Sequence, residues 1–121
     1  MKVYALCNQK GGVAKTSTAL ALACELVNRG KRGLGVDLDP QGNFCLGAGI
    51  DMMQLNSTLY DVFKGKSAIS MTIVSSPLGF DVLPGGIQLC AADMEFTALG
   101  REHMLDALLQ CNKSEYDYVV I

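Results

Sequence analysis

A glycine-rich segment near the start of the chain constrains the fold more than any other feature. Residues 3–7 form a short apolar run that predicts a strand, and residues 16–28 place apolar side chains at helical spacing. Gly11 and Gly12 lie between these two segments and are followed by Lys15 and Thr16. A glycine-rich turn at a helix N-terminus directs several backbone N–H groups into one concavity, where the helix dipole favours phosphate oxygens. This order predicts a strand, a phosphate-binding loop and a helix.

The remaining apolar segments alternate between strand and helix character. Strands are predicted at residues 33–38, 80–83 and 116–121, and helices at residues 58–64, 90–99 and 101–110. The alternation predicts an α/β fold with a parallel sheet flanked by helices and with active groups on loops at the carboxyl ends of the strands. Gly33 and Gly35 weaken the second strand prediction, because glycine is depleted in strand interiors.

Composition excludes several classes of protein. The 121 residues are 50% hydrophobic with a net charge of −2, which favours one soluble globular domain without a global basic field. No stretch approaches the roughly 20 apolar residues that a membrane-spanning helix needs. The five cysteines form no Cys-x-x-Cys pair and are expected to be structural, and the one histidine excludes a His-rich metal site. We expect a cytoplasmic protein.

The predicted phosphate loop departs from the usual pattern G-x-x-x-x-G-K-[ST] at both glycines, where Gln9 and Ala14 stand. The chain has instead Lys-Gly-Gly-x-x-Lys-Thr, with a second lysine at Lys10. Lys15 is expected to reach the β- and γ-phosphates, and the Thr16 hydroxyl to ligate Mg²⁺. The alternative is a glycine-rich turn with two solvated lysines.

Two carboxylates follow the second predicted strand. Asp37 and Asp39 are two residues apart, so both point to the same side of the chain. In phosphoryl transfer, one carboxylate can hold the water shell of Mg²⁺ while another orients or deprotonates the attacking water. The alternative is that residues 39–42 form an ordinary turn.

Residues 10–16 resemble the deviant Walker A loop of the ParA/MinD superfamily of P-loop ATPases, in which the residue before the second lysine varies. Residues 36–43 resemble the Walker A′ motif of ParA-type plasmid and chromosome partition ATPases, for which the ending Asp-Pro-Gln-Gly-Asn is characteristic. The resemblance extends through residues 58–62, 82–89 and 101–102. It implies a P-loop ATPase fold over essentially the whole chain.

The resemblance also implies roles for individual residues. Lys10 would be the signature lysine that reaches the nucleotide of a partner subunit, and Asp39 would orient the attacking water. Asp37 would lie close to Mg²⁺ or its waters. Phosphate binding would involve Lys10, Gly11, Gly12, Val13, Ala14, Lys15, Thr16 and Ser17 or Thr18, with Thr16 also on Mg²⁺ and with Lys10, Lys15 and Asp39 as the catalytic set.

Function and partners follow from the same resemblance. It implies a molecular switch that binds ATP with Mg²⁺, forms an ATP-bridged homodimer and hydrolyses ATP slowly. Its partners would be a ParB-type protein and non-specific DNA, and it would not bind a membrane. The location would be the cytoplasm, at the nucleoid. Whether the role is in plasmid or chromosome partition is left open.

Proteins of that family are longer, and their chains continue from a strand like residues 116–121 into the Walker B aspartate. We therefore expect residues 1–121 to be the N-terminal part of a single P-loop ATPase domain, ending before that aspartate. The alternative function is a non-catalytic nucleotide-binding fragment or remnant without Walker B. Hydrolysis by this chain is thus left undecided.

Overall fold

Strands and helices alternate in the computed structural model, which describes residues 1–7, 14–90 and 101–121. We number the described elements in chain order. They are β1 (Lys2–Tyr4), α1 (Lys15–Asn28), β2 (Gly33–Val36), α2 (Asn43–Gly47), a 3₁₀ turn (Met52–Gln54), α3 (Leu59–Phe63), α4 (Ile69–Thr72), β3 (Val74–Ser75), β4 (Asp81–Leu83), α5 (Arg101–Cys111) and β5 (Tyr118–Val120). The predicted α/β fold is confirmed, and the helix predicted at residues 90–99 lies almost wholly outside the described residues.

The strands form one five-stranded sheet in the order β1-β5-β2-β4-β3. The first four are parallel, and β3 runs antiparallel to β4. Val119 of β5 lies opposite Val3 on one side and Leu34 on the other. Because β5 lies between β1 and β2, the carboxyl ends of these three strands meet at one edge of the sheet.

Two hydrophobic clusters cover the two faces of the sheet. One cluster joins Val82, Tyr118 and Val120 to buried residues of α1 and α2, among them Ala23 and Phe44. The other cluster joins Leu34, Val36, Leu83 and Val119 to residues of α3 and α5, including Leu59 and Leu109. The strand residues alternate between the clusters, as side chains of a strand buried on both faces must.

A glycine terminates helix α1. Gly30 has φ 75°, and its N–H donates to the Val27 carbonyl at 2.8 Å, while the N–H of Lys31 donates to the Leu26 carbonyl at 3.1 Å. These two bonds are those of a Schellman motif, in which glycine takes the left-handed conformation without the steric penalty of a Cβ. The chain can therefore reverse and enter β2 directly.

A polar contact ties the starts of β2 and β5 together. The Arg32 N–H donates to a carboxylate oxygen of Asp117 at 2.8 Å. This hydrogen bond holds the pKa of Asp117 below its usual range. It lies at the amino ends of the strands, away from the edge that carries the predicted site residues.

Strand β1 is at the edge of the sheet within the described part of the chain. It pairs with β5, and Val3 is 49% exposed. No helix in residues 1–7, 14–90 or 101–121 is both long and apolar enough to cross a membrane.

Candidate functional site

A cleft of about 660 Å³ opens at the carboxyl ends of β1, β5 and β2. Its walls include Cys7 after β1, Ile121 after β5, Thr16 in the first turn of α1, and Asp39 and Asn43 after β2. Backbone hydrogen bonds hold the β1 and β5 walls together, from the Ile121 N–H to the Tyr4 carbonyl at 2.8 Å and from the Leu6 N–H to the Ile121 carbonyl at 2.9 Å. The topology therefore brings the segments around both predicted motifs to one place.

The N-terminus of α1 forms one side of this cleft. Ala14 precedes the helix in the left-handed conformation, with φ 61° and ψ 29°, and its methyl group provides no hydrogen-bond cap. The first turn holds no acidic residue, and Lys15, Thr16 and Ser17 all contribute to the wall. A helix N-terminus without its own anion is a favourable place for a phosphate group.

The remaining loop residues of the prediction, Lys10, Gly11, Gly12 and Val13, lie outside the described residues. Their predicted roles stay predictions. The described half of the predicted loop, Ala14 to Ser17, is at the cleft.

Asp37 is the first residue after β2 and is almost fully buried, with 1% of its surface exposed. Its Oδ1 accepts a hydrogen bond from the Asp39 N–H at 3.0 Å, and its Oδ2 accepts one from the Cys45 N–H at 2.9 Å. The buried charge is thus compensated by two backbone donors, as a buried carboxylate requires.

Asp39 has a different environment from Asp37, although both belong to the walls of the cleft. Asp39 is half-buried; its Oδ1 accepts from the Gln41 N–H at 2.9 Å and its Oδ2 from the Asn43 amide at 2.8 Å. The Gly42 N–H donates to the Asp39 carbonyl at 2.9 Å, and Gly42 has φ 68°. The turn that the sequence allowed at residues 39–42 is therefore present, and it carries the Asp39 carboxylate at the cleft.

The loop after β4 packs against Asp37 from the other side. A Cβ added to Gly85 would collide with the Asp37 carbonyl oxygen, so only glycine allows this close approach. The neighbouring Pro84 carbonyl accepts a hydrogen bond from the Leu59 N–H at 2.7 Å, which joins the loop to the start of α3. The pair Gly85-Gly86 directly after a strand is the sequence signal of this close backbone contact.

Cys45 and Asn43 are two further residues that the sequence reasoning did not place individually at the site. Cys45 is fully buried, and burial followed by the nearby Asp37 charge raises the pKa of its thiol, so it is an inert core residue. Asn43 begins α2 and bonds to Asp39. The described residues hold no group of three or more His, Cys, Asp or Glu side chains that could bind a metal.

Comparison with known proteins gives the same fold and a family. An AAA domain family matches residues 1–121. The sporulation initiation inhibitor protein Soj of Bacillus subtilis is 38% identical over 122 residues, which is 99% of this chain and 48% of Soj. The chromosome partitioning protein ParA of Caulobacter vibrioides is 40% identical over 126 residues, which is 100% of this chain and 47% of ParA. The chain spans about half the length of these curated relatives.

A solved structure matches this fold over the whole of this chain. Cobyrinic acid a,c-diamide synthase from Mycobacterium smegmatis, crystallised with an ATP analogue and magnesium, superimposes with a TM-score of 0.95 at 36% identity. The match covers 100% of this chain and 50% of that protein. The chain has the fold of the P-loop ParA/MinD-type proteins, it has Soj and ParA among its relatives, and it belongs to the AAA domain family.

Proposed function

We propose that the protein is an ATP-binding molecular switch of the ParA partition type, which dimerises with ATP and hydrolyses it slowly during DNA segregation. One observation carries the proposal: the first turn of α1 and the Asp39 carboxylate line the same cleft. The names of the relatives Soj and ParA, and the ATP analogue and magnesium in the similar crystal structure, support it. Residues 1–121 would be the N-terminal part of a single ATPase domain.

Phosphate binding is assigned to the start of α1 and to the loop before it. The N–H groups of Ala14, Lys15, Thr16 and Ser17 lie at the positive end of the helix dipole, and the Lys15 ammonium would neutralise the β- and γ-phosphates. Gly11, Gly12 and Val13 would complete the loop by backbone N–H groups. The lack of an acidic residue in the first turn of α1 fits an anion at this place.

Mg²⁺ would be held at the same end of α1. The Thr16 hydroxyl lies at the cleft and is the type of oxygen ligand that this cation prefers, with waters and phosphate oxygens as further ligands. The cation supplies positive charge against the phosphate oxygens during transfer. The resemblance to partition ATPases predicts Asp37 near Mg²⁺ or its waters.

Asp39 would act on the attacking water. Each of its oxygens accepts one hydrogen bond in the structure, and a carboxylate oxygen has a second lone pair that can accept one more. A water bound there is oriented toward the γ-phosphorus, and the proton that it loses as the new P–O bond forms can pass to the carboxylate. The bond between the γ-phosphorus and the bridging oxygen breaks, giving ADP and phosphate.

Partners are proposed from the family alone. Lys10 would reach across an ATP-bridged dimer to the nucleotide of the second subunit, a ParB-type protein would stimulate hydrolysis, and non-specific DNA would serve as the track. The protein would act in the cytoplasm at the nucleoid.

The test is nucleotide binding and phosphate release by the protein as the cell makes it. Lys15→Ala should abolish binding of Mg²⁺-ATP, whereas Lys10→Ala should lose ATP-stabilised dimerisation and hydrolysis while keeping part of the nucleotide affinity. Lys113→Ala, at an exposed position beyond α5, is the matched control. A Lys10→Ala protein that dimerises and turns over normally would exclude the proposed role of Lys10.

A second function, nucleotide binding without turnover, is favoured by one observation. Among the described residues, Asp37 and Asp39 are the only acidic side chains that line the cleft, and Asp37 is buried. Binding of Mg²⁺-ATP and Mg²⁺-ADP without phosphate release would support this second function for residues 1–121.

A further inference from the structure

We infer that Asp37 is a positioning residue that holds the Asp39 loop, rather than a ligand of Mg²⁺ or of its waters. The inference rests on the proposed function of Asp39. It deepens that function by naming what fixes the carboxylate that acts on water.

The Asp37 carboxylate joins the two ends of the segment 39–45 through hydrogen bonds. It accepts from the Asp39 N–H, two residues on, and from the Cys45 N–H, eight residues on in α2. One side chain therefore ties the end of β2 to both ends of the segment that carries Asp39. The Asp39 side chain then bonds within the same segment, to Gln41 and Asn43.

The backbone of Asp37 is held as firmly as its side chain. The Asp37 N–H donates to the Leu83 carbonyl at 3.1 Å, which extends the pairing of β2 with β4 by one residue. The loop after β4 packs closely on the same residue, because a Cβ at Gly85 would collide with the Asp37 carbonyl oxygen. Asp37 is thus fixed to the sheet, and the loop is fixed to Asp37.

Burial argues against a metal role for this carboxylate. Mg²⁺ keeps several of its waters in protein sites, so a carboxylate that binds it directly or through water needs an accessible oxygen. Asp37 is 1% exposed whereas Asp39 is only half-buried, so Asp37 presents no oxygen that is open to a hydrated cation, although it forms part of the cleft wall. Drawing the side chain toward a cation would leave the buried Cys45 N–H and the partly buried Asp39 N–H without their acceptor, which is costly.

Asp37→Asn tests the inference, because an amide has one acceptor oxygen where the carboxylate has two. At least one of the Asp39 and Cys45 amide protons should then exchange with solvent about tenfold faster or more, since each tenfold corresponds to about 1.4 kcal/mol, the scale of one hydrogen bond. Phosphate release should fall about tenfold or more, because small misplacements of a reacting group are expensive. Nucleotide affinity and the Mg²⁺ concentration for half-maximal release should stay within about twofold.

A double variant separates positioning from direct action. In an Asp39→Ala background, Asp37→Asn should produce no further loss of phosphate release, because the group that Asp37 positions is absent. Asp51→Asn is the matched control, since Asp51 also accepts a backbone hydrogen bond, from Met53 at 3.0 Å, but is exposed and away from the cleft. A severalfold rise in the half-maximal Mg²⁺ concentration of Asp37→Asn would overturn the inference.

Wild-type protein provides a measurement that does not depend on whether the variant folds. The Asp39 and Cys45 amides should be protected from exchange without nucleotide and should stay protected when Mg²⁺ is added with ADP. Loss of protection on Mg²⁺ addition would show that the cation draws the carboxylate away and would refute the positioning role. If the wild-type protein binds no nucleotide, the proposed function is refuted instead. Nucleotide binding and amide exchange are measured separately, so the two failures can be told apart.

Discussion

The aromatic ring of Phe44 lies where a side chain at Gly35 would otherwise be. A Cβ added to Gly35 would collide with the Cε1 and Cζ atoms of that ring, and the ring also contacts Phe80 with centroids 6.0 Å apart. Tyr118 covers Gly33 in the same way, on the same face of β2. The two glycines therefore let aromatic rings pack directly on the strand backbone between the sheet and helices α1 and α2.

Gly35→Ala should destabilise the protein by about 1–3 kcal/mol, the usual cost of adding a methyl group to a packed core. The free energy of unfolding in urea measures this loss. Phe44→Leu in the same chain should recover part of it, because the smaller side chain leaves room for the methyl group. A double-mutant cycle that gives no coupling between positions 35 and 44 would contradict the packing described here.

These glycines show why part of the fold could be predicted and part could not. The order of apolar run, glycine loop, helix and second apolar run predicted β1, α1 and β2, because periodicity and turn chemistry are local properties. The glycines of β2 weakened that prediction, since their partners Phe44 and Tyr118 are distant in sequence. Glycine is required at these positions because aromatic rings pack on them, and strand propensity alone does not reveal that requirement.

The candidate site, like the fold, could be predicted only in part. Asp37 and Asp39 were predicted at one edge of the sheet, and both belong to the cleft. Their separate environments could not be predicted, because the Cys45 N–H that Asp37 binds comes from a short helix that the sequence pattern did not reveal. The contact of Gly85 with Asp37 likewise depends on the pairing of β2 with β4.

Asn43 should be required for full activity, because its amide holds the Asp39 carboxylate at 2.8 Å. Asn43→Ala should lower phosphate release severalfold by freeing the carboxylate. Asn43→Asp should lower it more, since two neighbouring carboxylates repel each other. Steady-state phosphate release checks both changes, with Asn56→Asp at an exposed position as the control. Equal rates for Asn43→Asp and Asn56→Asp would show that the Asn43 amide has no part in holding Asp39.

Ala14→Gly should stabilise the protein. Ala14 has φ 61°, a conformation that costs a residue with a Cβ about 1–2 kcal/mol and that glycine adopts freely. The greater freedom of glycine in the unfolded chain offsets about 0.4–1 kcal/mol of this gain. Urea unfolding should therefore show a net increase of up to about 1.6 kcal/mol, and a decrease would mean that residue 14 is not strained.

Tyr118 should make stability fall in alkaline solution. Its hydroxyl donates to the buried Ala23 carbonyl at 2.9 Å, and burial raises the pKa of Tyr118 to about 12 from the usual value of about 10. Between pH 10 and 12 the unfolded chain loses this proton and the folded chain keeps it, so the free energy of unfolding decreases as pH rises through that window. Tyr118→Phe should cost about 1 kcal/mol at pH 7 through the lost hydrogen bond and should show a shallower alkaline decline. Urea unfolding from pH 8 to 11 compares the two slopes, and equal slopes would exclude Tyr118 as a source of the decline.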